Sequence, residues 1–391
     1  MRLRWLLALL CVLHAGLGAS LGLSVDEAHY ALYAAHPALS YFDHPPLVGW
    51  VQWPLVALHA PDSVLRLLPG LLWLATVLLV WRVTLLLSAQ TAHPQRAACA
   101  AVLALLLAPL LHILGIGLLP DTLLMLWSVA LLWQTLRLLD AAQAKRPAAW
   151  LLLGLLLGFF AIPFAVLALL SGGGSSLPHW TAPAWVALAP FVGIGLARST
   201  RHSAVCLLAG LQALACLVLP ALMLTGGMPF LAGQTASAEA SDAPNPFADL
   251  HGWNAAGQRA AQLAAEQGLP AVAVQNWTLA SRLGWYARPL PVQVLEDRFD
   301  QFDLWAAPLP VGGSALLVDW SQLPYLTPLG PHGFAACKLL DTLAVQRLGY
   351  ALAQFDFYAC SGWAGDPQPR LKPAAPMASP APSTPFTPSA P

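Results

Sequence analysis

Over the first 224 positions apolar residues come in long runs, and the polar residues fall between those runs rather than inside them. Runs long enough to cross a hydrocarbon core of about 30 Å lie at about 5–22, 67–87, 97–115, 122–139, 149–170, 183–197 and 203–224, the sixth being the shortest. This pattern predicts a polytopic, all-α membrane region of seven spans. Beyond about Thr225 the runs shorten and polar residues return. FADLHGWNAAGQRAAQLAAEQG has helical periodicity and meets a stop at Gly268. PAVAVQ and SALLVDW are short β-like runs bounded by Pro and Gly, so residues 225–363 are expected to form a small α/β domain. Residues 364–391 are rich in Pro, Ala and Ser, bury no core, and are expected to be a disordered tail.

Charge orients this arrangement. Arg2, Arg4, Arg82, Arg96, Arg137, Lys145, Arg146, Arg198 and Arg201 fall on one side of the spans, and only Arg66 falls on the other before residue 225. The positive-inside rule then places the N-terminus in the cytoplasm and residues 225–363 outside. The acids divide the opposite way, with Asp26, Glu27, Asp43, Asp62 and Asp121 outward and Asp140 inward. MRLRW followed by an apolar run and Ala19-Ser20 also has the form of a signal peptide, but the further spans and the charge asymmetry favour a retained helix. The composition agrees: 58% of residues are hydrophobic and 9% charged, well below the one quarter of a soluble domain. The net charge is zero and no basic cluster is present, which excludes a nucleic-acid partner.

Cys11, Cys99, Cys206 and Cys216 fall in spans as apolar fillers, whereas Cys337 and Cys360 fall in the outer domain, where an oxidising compartment permits but does not require a pair. No CxxC, HExxH or other metal spacing occurs, so no metal ligand set is expected and metal dependence is left open. Asn276-Trp277-Thr278 has the form of a glycosylation sequon.

The chemistry-bearing residues gather after the first run, in VDEAHYALYAAHPALSYFDHPPLVGW (25–50). Asp26 and Glu27 lie within one turn of the end of the first span, where a partly desolvated carboxylate suits a general base. His29 follows Asp26 by three residues and shares its face on a helix. Asp43 and His44 precede Pro45 and Pro46, which force an extended backbone. Asp121, in LLPDTLLMLW, is either a further site acid or the N-cap of the fourth span. His179 in PHWTAP lies at another outer helix end, beside an interfacial Trp, and is a possible substrate contact.

Four blocks together resemble the family 39 glycosyltransferases, the protein O-mannosyltransferase and aminoarabinose-transferase relatives within the GT-C superfamily. They are DEAHYALYAAHPALSYFDHPPLVGW, LPDTLLMLW, SLPHWTAPAW (176–185) and LASRLGWYARPLPVQVLEDRFDQFDLW (279–305), in the family's order. The resemblance implies a transmembrane catalytic region over 1–224, with a first outer loop at 23–66. It implies transfer of a sugar, with inversion, from a polyprenyl-phosphate donor to an acceptor on the outer face of a bacterial inner membrane. The acceptor would be a glycolipid, a polysaccharide or a protein, the donor is a substrate rather than a cofactor, and the partners include membrane lipid. By the resemblance Asp26 is the base and Asp121 a supporting acid, while His29 and His44 match positions that contact the carrier phosphate. Arg66, the one outward basic residue of the membrane half, joins them as a phosphate candidate. Tyr30, Tyr41, Asp43, Pro45 and Pro46 would shape the loop.

The chain also departs from the pattern. After LLLGLLLG (151–158) it runs directly to FFAIPFAVLALLSGGGSSLPHW, which resembles a much later span and loop of the family. An internal segment is therefore missing, and with it a family lysine and spans that would enclose the lipid groove. A shortened, non-catalytic relative is the alternative to an active enzyme. A lipid-linked sugar transporter is a third reading, disfavoured because the acids cluster at one mouth and the halves show no repeat.

Overall fold

The computed structural model describes residues 3–141, 157–171, 178–228, 245–296, 298–323 and 327–365. The front of the expected fifth span (149–156) and residues 366–391 of the expected tail lie outside them.

The first apolar run forms α1, Leu3–Ser20. The expected outer loop 23–66 is mostly helical: α2 is Val25–Ala35, α3 is Leu47–Ala57 and α4 is Asp62–Leu65. Pro46 stands immediately before α3 and Arg66 separates α4 from α5, Leu67–Leu87. The expected third span at 97–115 is two helices, α6 (Pro94–Leu106) and α7 (Pro109–Ile116), bent by 74°. Pro109 has no N–H to continue the ladder, and next to the break the carbonyl of Leu106 receives the His112 Nε2 proton, at 2.9 Å. His14 of α1 meets the other ring nitrogen of His112 at 2.9 Å, so a polar thread inside the membrane layer satisfies the break. The expected fourth run forms α8, Pro120–Ala141. The described part of the junction the sequence marks near Gly158 is a π-helical turn, Leu157–Ala161, leading into α9, Ile162–Ser171. A short turn at Pro178–Thr181 then enters α10, Ala182–Arg198, and α11 is His202–Thr225.

Among the described residues four helices are long and apolar enough to cross a membrane: Leu3–Ser20, Asp62–Leu87, His179–Arg198 and His202–Thr225. The bent pair brings these to five, against the seven spans expected.

The C-terminal part carries α12 (Trp253–Gln267), β1 (Val272–Val274), α13 (Trp277–Tyr286), β2 (Val292–Val294), α14 (Gln301–Trp305), β3 (Ala315–Trp320), β4 (Phe334–Arg347) and β5 (Tyr350–Trp363). Gly268 ends α12 in a left-handed conformation (φ 64°), as its position after the periodic run predicts. The five strands form one mixed sheet in the order β2-β1-β3-β5-β4. β1 is parallel to β2 and β3, and the long β4–β5 hairpin adds antiparallel to β3. Its two-residue turn, Leu348-Gly349, has φ of 52° and 82°, the twist that matches a hairpin. Cys337 and Cys360 face each other across the hairpin and form a disulfide, resolving the pairing the sequence leaves open. Cys337→Ser with Cys360→Ser is expected to cost about 2–4 kcal/mol, read as a lowered unfolding midpoint of the sheet.

The two halves share α2. Its Ala28, Ala31 and Leu32 belong to the core that covers the sheet, with Trp253, Leu283 and Phe355. Its Tyr30 and Tyr33 belong to the core of the membrane helices, with Trp73, Val77 and Leu114. A helix buried on both faces cannot drift, and it carries the residues singled out above.

Candidate active site

α2 begins with a capping box. Ser24 Oγ accepts from the Glu27 amide (3.4 Å), and the Glu27 carboxylate accepts from the Ser24 amide (3.0 Å). This fixes the first turn, in which Asp26 sits. Asp26 and Glu27 then part company. Glu27 turns inward and forms a two-point ion pair with Arg66, at 2.7 Å to Nε and 2.6 Å to the η nitrogen. The remaining Arg66 donors go to the carbonyls of Gly18 (3.1 Å), Leu21 (2.8 Å) and Gly22 (2.8 Å). Arg66 is 3% exposed and all its N–H directions are taken. This corrects two expectations: Glu27 is not a free base and Arg66 is not available to a phosphate. The pair joins the end of α1 to α2 and α5, and Gly117 at the end of α7 lies so close to Glu27 that a Cβ there would approach its carboxyl carbon to 2.9 Å.

Asp26 has no such partner. Among the described residues its carboxylate is held by no hydrogen bond, and burial raises its pKa against the pull of His29 and His44, with Asp249 and Glu27 adding to the rise. It shares its surroundings with Asp43 and Asp121, all three facing Tyr30.

Asp43 is the hub of the loop. Tyr33 donates its hydroxyl proton to it, His44 Nδ1 lies 3.2 Å from one oxygen and His29 Nε2 3.7 Å from the other. Burial alone would raise this carboxyl, but the nearby His29 and His44 rings and the hydrogen bond from Tyr33 hold it well below the usual carboxylate range. In return, the bond to Asp43 raises the pKa of His44. The far nitrogen of His44 meets Tyr30 Oη at 3.1 Å. Tyr41 stacks on Tyr33 (3.7 Å between centroids, 11° between planes) and donates to the Tyr33 carbonyl at 2.7 Å. Pro46 accepts from the amides of Gly49 and Trp50, starting α3 directly after Pro45. Pro46 itself is in the helical region (φ −74°, ψ −13°), so the prolines do not extend the chain throughout as expected; Pro46 starts a helix.

His29 is corrected in part. It is 4% exposed, and its Nδ1 lies 3.1 Å from Ser281 Oγ. Because Ser281 donates its own proton to the Trp277 carbonyl (2.7 Å), its oxygen accepts from His29. His29 is therefore bonded to Ser281, with its Nε2 facing Asp43 beyond hydrogen-bond distance, and of the two histidines beside Asp43, His44 keeps the greater solvent access. Asp121 stands one residue inside α8, past the capping position. There the back-bond is made by Thr122, whose Oγ1 accepts from the Leu119 amide at 3.3 Å. Asp121 Oδ2 lies 3.5 Å from His179 Nε2, which brings His179 into the group. No set of three metal-ligating side chains occurs among the described residues.

The C-terminal part adds residues that sequence reasoning missed. Ser281 anchors His29. Asp249 approaches Asp26 while paired with Arg282, which is 1% exposed and stacked 3.7 Å from the Trp253 ring. Asp62 accepts from Trp285 Nε1 (2.9 Å) and Tyr286 Oη (2.7 Å), docking α13 onto the membrane half. The resembling block at 279–305 was the available signal, since Trp285 and Tyr286 lie in it. Asn276 caps α13 through Leu279 and is 8% exposed, so the sequon is a helix cap.

Residues 43–171 match the family model described as dolichyl-phosphate-mannose-protein mannosyltransferase. The resemblance to a GT-C glycosyltransferase is borne out. The matched stretch opens on Asp43 and contains His44, Arg66 and Asp121, whereas Asp26 and His29 precede it. No curated protein matches the chain. Two solved structures are similar to it, both of ArnT from Cupriavidus metallidurans. The apo form has a TM-score of 0.47 at 15% identity, covering 94% of this chain and 99% of that one. The form bound to undecaprenyl phosphate has a TM-score of 0.43 at 15% identity, covering 94% and 100%.

Proposed function

We propose that the protein is an inverting membrane glycosyltransferase, moving a sugar from a polyprenyl-phosphate donor to a glycolipid, polysaccharide or protein acceptor. In this reading it works in a bacterial inner membrane, with the N-terminus in the cytoplasm and residues 225–363 in the periplasm. The observation that carries the proposal is Asp26: a half-buried carboxylate with a raised pKa and, among the described residues, no hydrogen-bond partner, close to a histidine made more basic by Asp43.

A base must be free to accept a proton, and Asp26 is the one carboxylate of the loop not already tied to a donor. In the step proposed, the acceptor hydroxyl gives its proton to Asp26 as its oxygen bonds to the anomeric carbon. The bond to the phosphate breaks on the opposite face, and its electron pair leaves with the polyprenyl phosphate. His44, with Tyr30 behind it, faces the charge that develops on the leaving group. Arg66 and Arg282 are each tied to a carboxylate, and in this reading the duty falls to His44. Asp121, beside His179, shares the surroundings of Tyr30 with Asp26 and Asp43.

The test is release of free polyprenyl phosphate from a panel of lipid-linked sugars in vesicles holding the full chain. Donor- and protein-dependent release supports the proposal. Absence of release with every donor, from folded and inserted protein, assigns the chain to the shortened, non-catalytic relatives.

The pH response follows from the same geometry. The rate is expected to fall as pH drops through the raised Asp26 pKa, because the base is then protonated, and to fall again as pH rises through the raised His44 pKa, because the cation is then lost. His44→Arg, which stays charged, should remove the alkaline fall and keep the acid one. An unchanged alkaline limb in that variant would remove His44 from the phosphate role.

A further inference from the structure

A second groove lies at the other end of the membrane helices. It has a volume of about 810 Å³ and is lined by Ala75, Leu78, Leu79, Leu85 and Leu86, with Trp81, Arg82, Trp133 and Arg137. α5 and α8 form it side by side. Both helices start at the level of the site, at Arg66 and Asp121, and both reach an arginine sixteen residues later, about 24 Å along the axis at 1.5 Å per residue. The two arginines therefore share a level close to the opposite face of a bilayer whose hydrocarbon core is about 30 Å thick.

The lining divides by chemistry. Leu78 and Leu86 are exposed in the wall, while Arg82 and Arg137 are exposed at its end. The Arg137 guanidinium sits 6.0 Å from the centre of the Trp133 ring, one turn back on the same helix. No acidic residue lines the groove, and among the described residues neither arginine has an ion-pair partner. An apolar slot at acyl-chain depth, ending in two cations flanked by indoles at interfacial depth, complements the charge and polarity of an anionic phospholipid. Basic pockets between transmembrane helices hold such head groups. We infer that this groove binds an anionic phospholipid of the leaflet remote from the active site, with its phosphate between Arg82 and Arg137 and its chains along Leu78, Leu79 and Leu86. A zwitterionic lipid would bring a cation of its own against the arginines, so the slot selects by net charge.

The inference is independent of the catalytic proposal, because none of these residues belongs to the mouth. Its test is native mass spectrometry of the full chain after exchange from nanodiscs of phosphatidylglycerol, of phosphatidylcholine, or of phosphatidylcholine with added soluble glycerol phosphate. Wild type is expected to retain one phosphatidylglycerol. Arg82→Gln with Arg137→Gln should weaken that retention on the order of thirtyfold, while Arg82→Lys with Arg137→Lys keeps it. Equal retention of the two lipids by wild type would overturn the inference, as would undiminished selectivity in the Gln pair. Retention of glycerol phosphate alone would show a soluble-anion site and overturn it also. Should the Gln pair fail to insert, the wild-type comparison of the two lipids decides.

Discussion

Asp26→Asn is expected to lower sugar transfer by about 10²–10⁴-fold, the range contributed by a positioned general base, with little change in donor binding. Asparagine keeps the volume and the place in the first turn of α2 but accepts no proton at this pH. Because the Asp26 carboxylate takes part in no hydrogen bond among the described residues, the substitution breaks none, and the fold and its unfolding midpoint should hold. That separation is what makes the variant informative. The measurement is polyprenyl phosphate released per mole of inserted protein, read with donor saturation so that rate and affinity are resolved. The same assay across pH should show the wild-type acid limb shifted upward from the ordinary aspartate value, in the direction that burial of Asp26 gives. Transfer retained at more than a tenth of wild type would move the base elsewhere in the mouth, with Asp121 next in line through its approach to His179.

Arg66→Met is expected to destabilise the fold by about 3–5 kcal/mol, the cost of leaving one member of a buried ion pair behind. Glu27 would keep its charge in a site where its side chain is 8% exposed, and the carbonyls of Gly18, Leu21 and Gly22 would lose their donors. Arg66→Lys should rescue little, since one ammonium cannot span contacts made by a planar fork on five sides. Denaturant or thermal unfolding in detergent checks this. A phosphate-binding Arg66 would behave the opposite way: the fold would survive both substitutions and donor affinity alone would fall. Glu27→Gln should also lower stability, by leaving Arg66 half paired, rather than act on the chemical step as loss of the base would.

Much of the architecture was legible because its causes are local. The runs at 5–22, 67–87 and 203–224 became long helices because continuous apolarity leaves a helix as the way to satisfy the backbone in lipid. α12 and its Gly268 stop, and the strands at Val272–Val274 and Ala315–Trp320, followed from periodicity and from where Pro and Gly fall. The bend between α6 and α7 was less legible, although Pro109 marked it. The run at 97–115 is apolar throughout, and a hydropathy pattern does not record the direction of a helix axis.

The site shows the same division more sharply. Sequence alone placed Asp26, Asp43, His44 and Asp121 among the chemistry-bearing residues, because charges are scarce in this chain and these sit at helix mouths. Composition and spacing could not tell Asp26 from Glu27, two neighbouring acids with the same local signature; only the family resemblance favoured Asp26. The difference lies in what each meets after folding: Glu27 pairs with Arg66, thirty-nine residues on, and the Asp26 carboxylate has no hydrogen-bond partner among the described residues. Nor could they place Ser281 against His29, 252 residues apart, or Asp62 under Trp285 and Tyr286. Spacing and composition carry the helices, the polarity of the mouth and the identity of the acids. Which acid is neutralised and which is left free depends on long-range partners brought together only when α2 is packed between two cores, and that the tertiary structure decided.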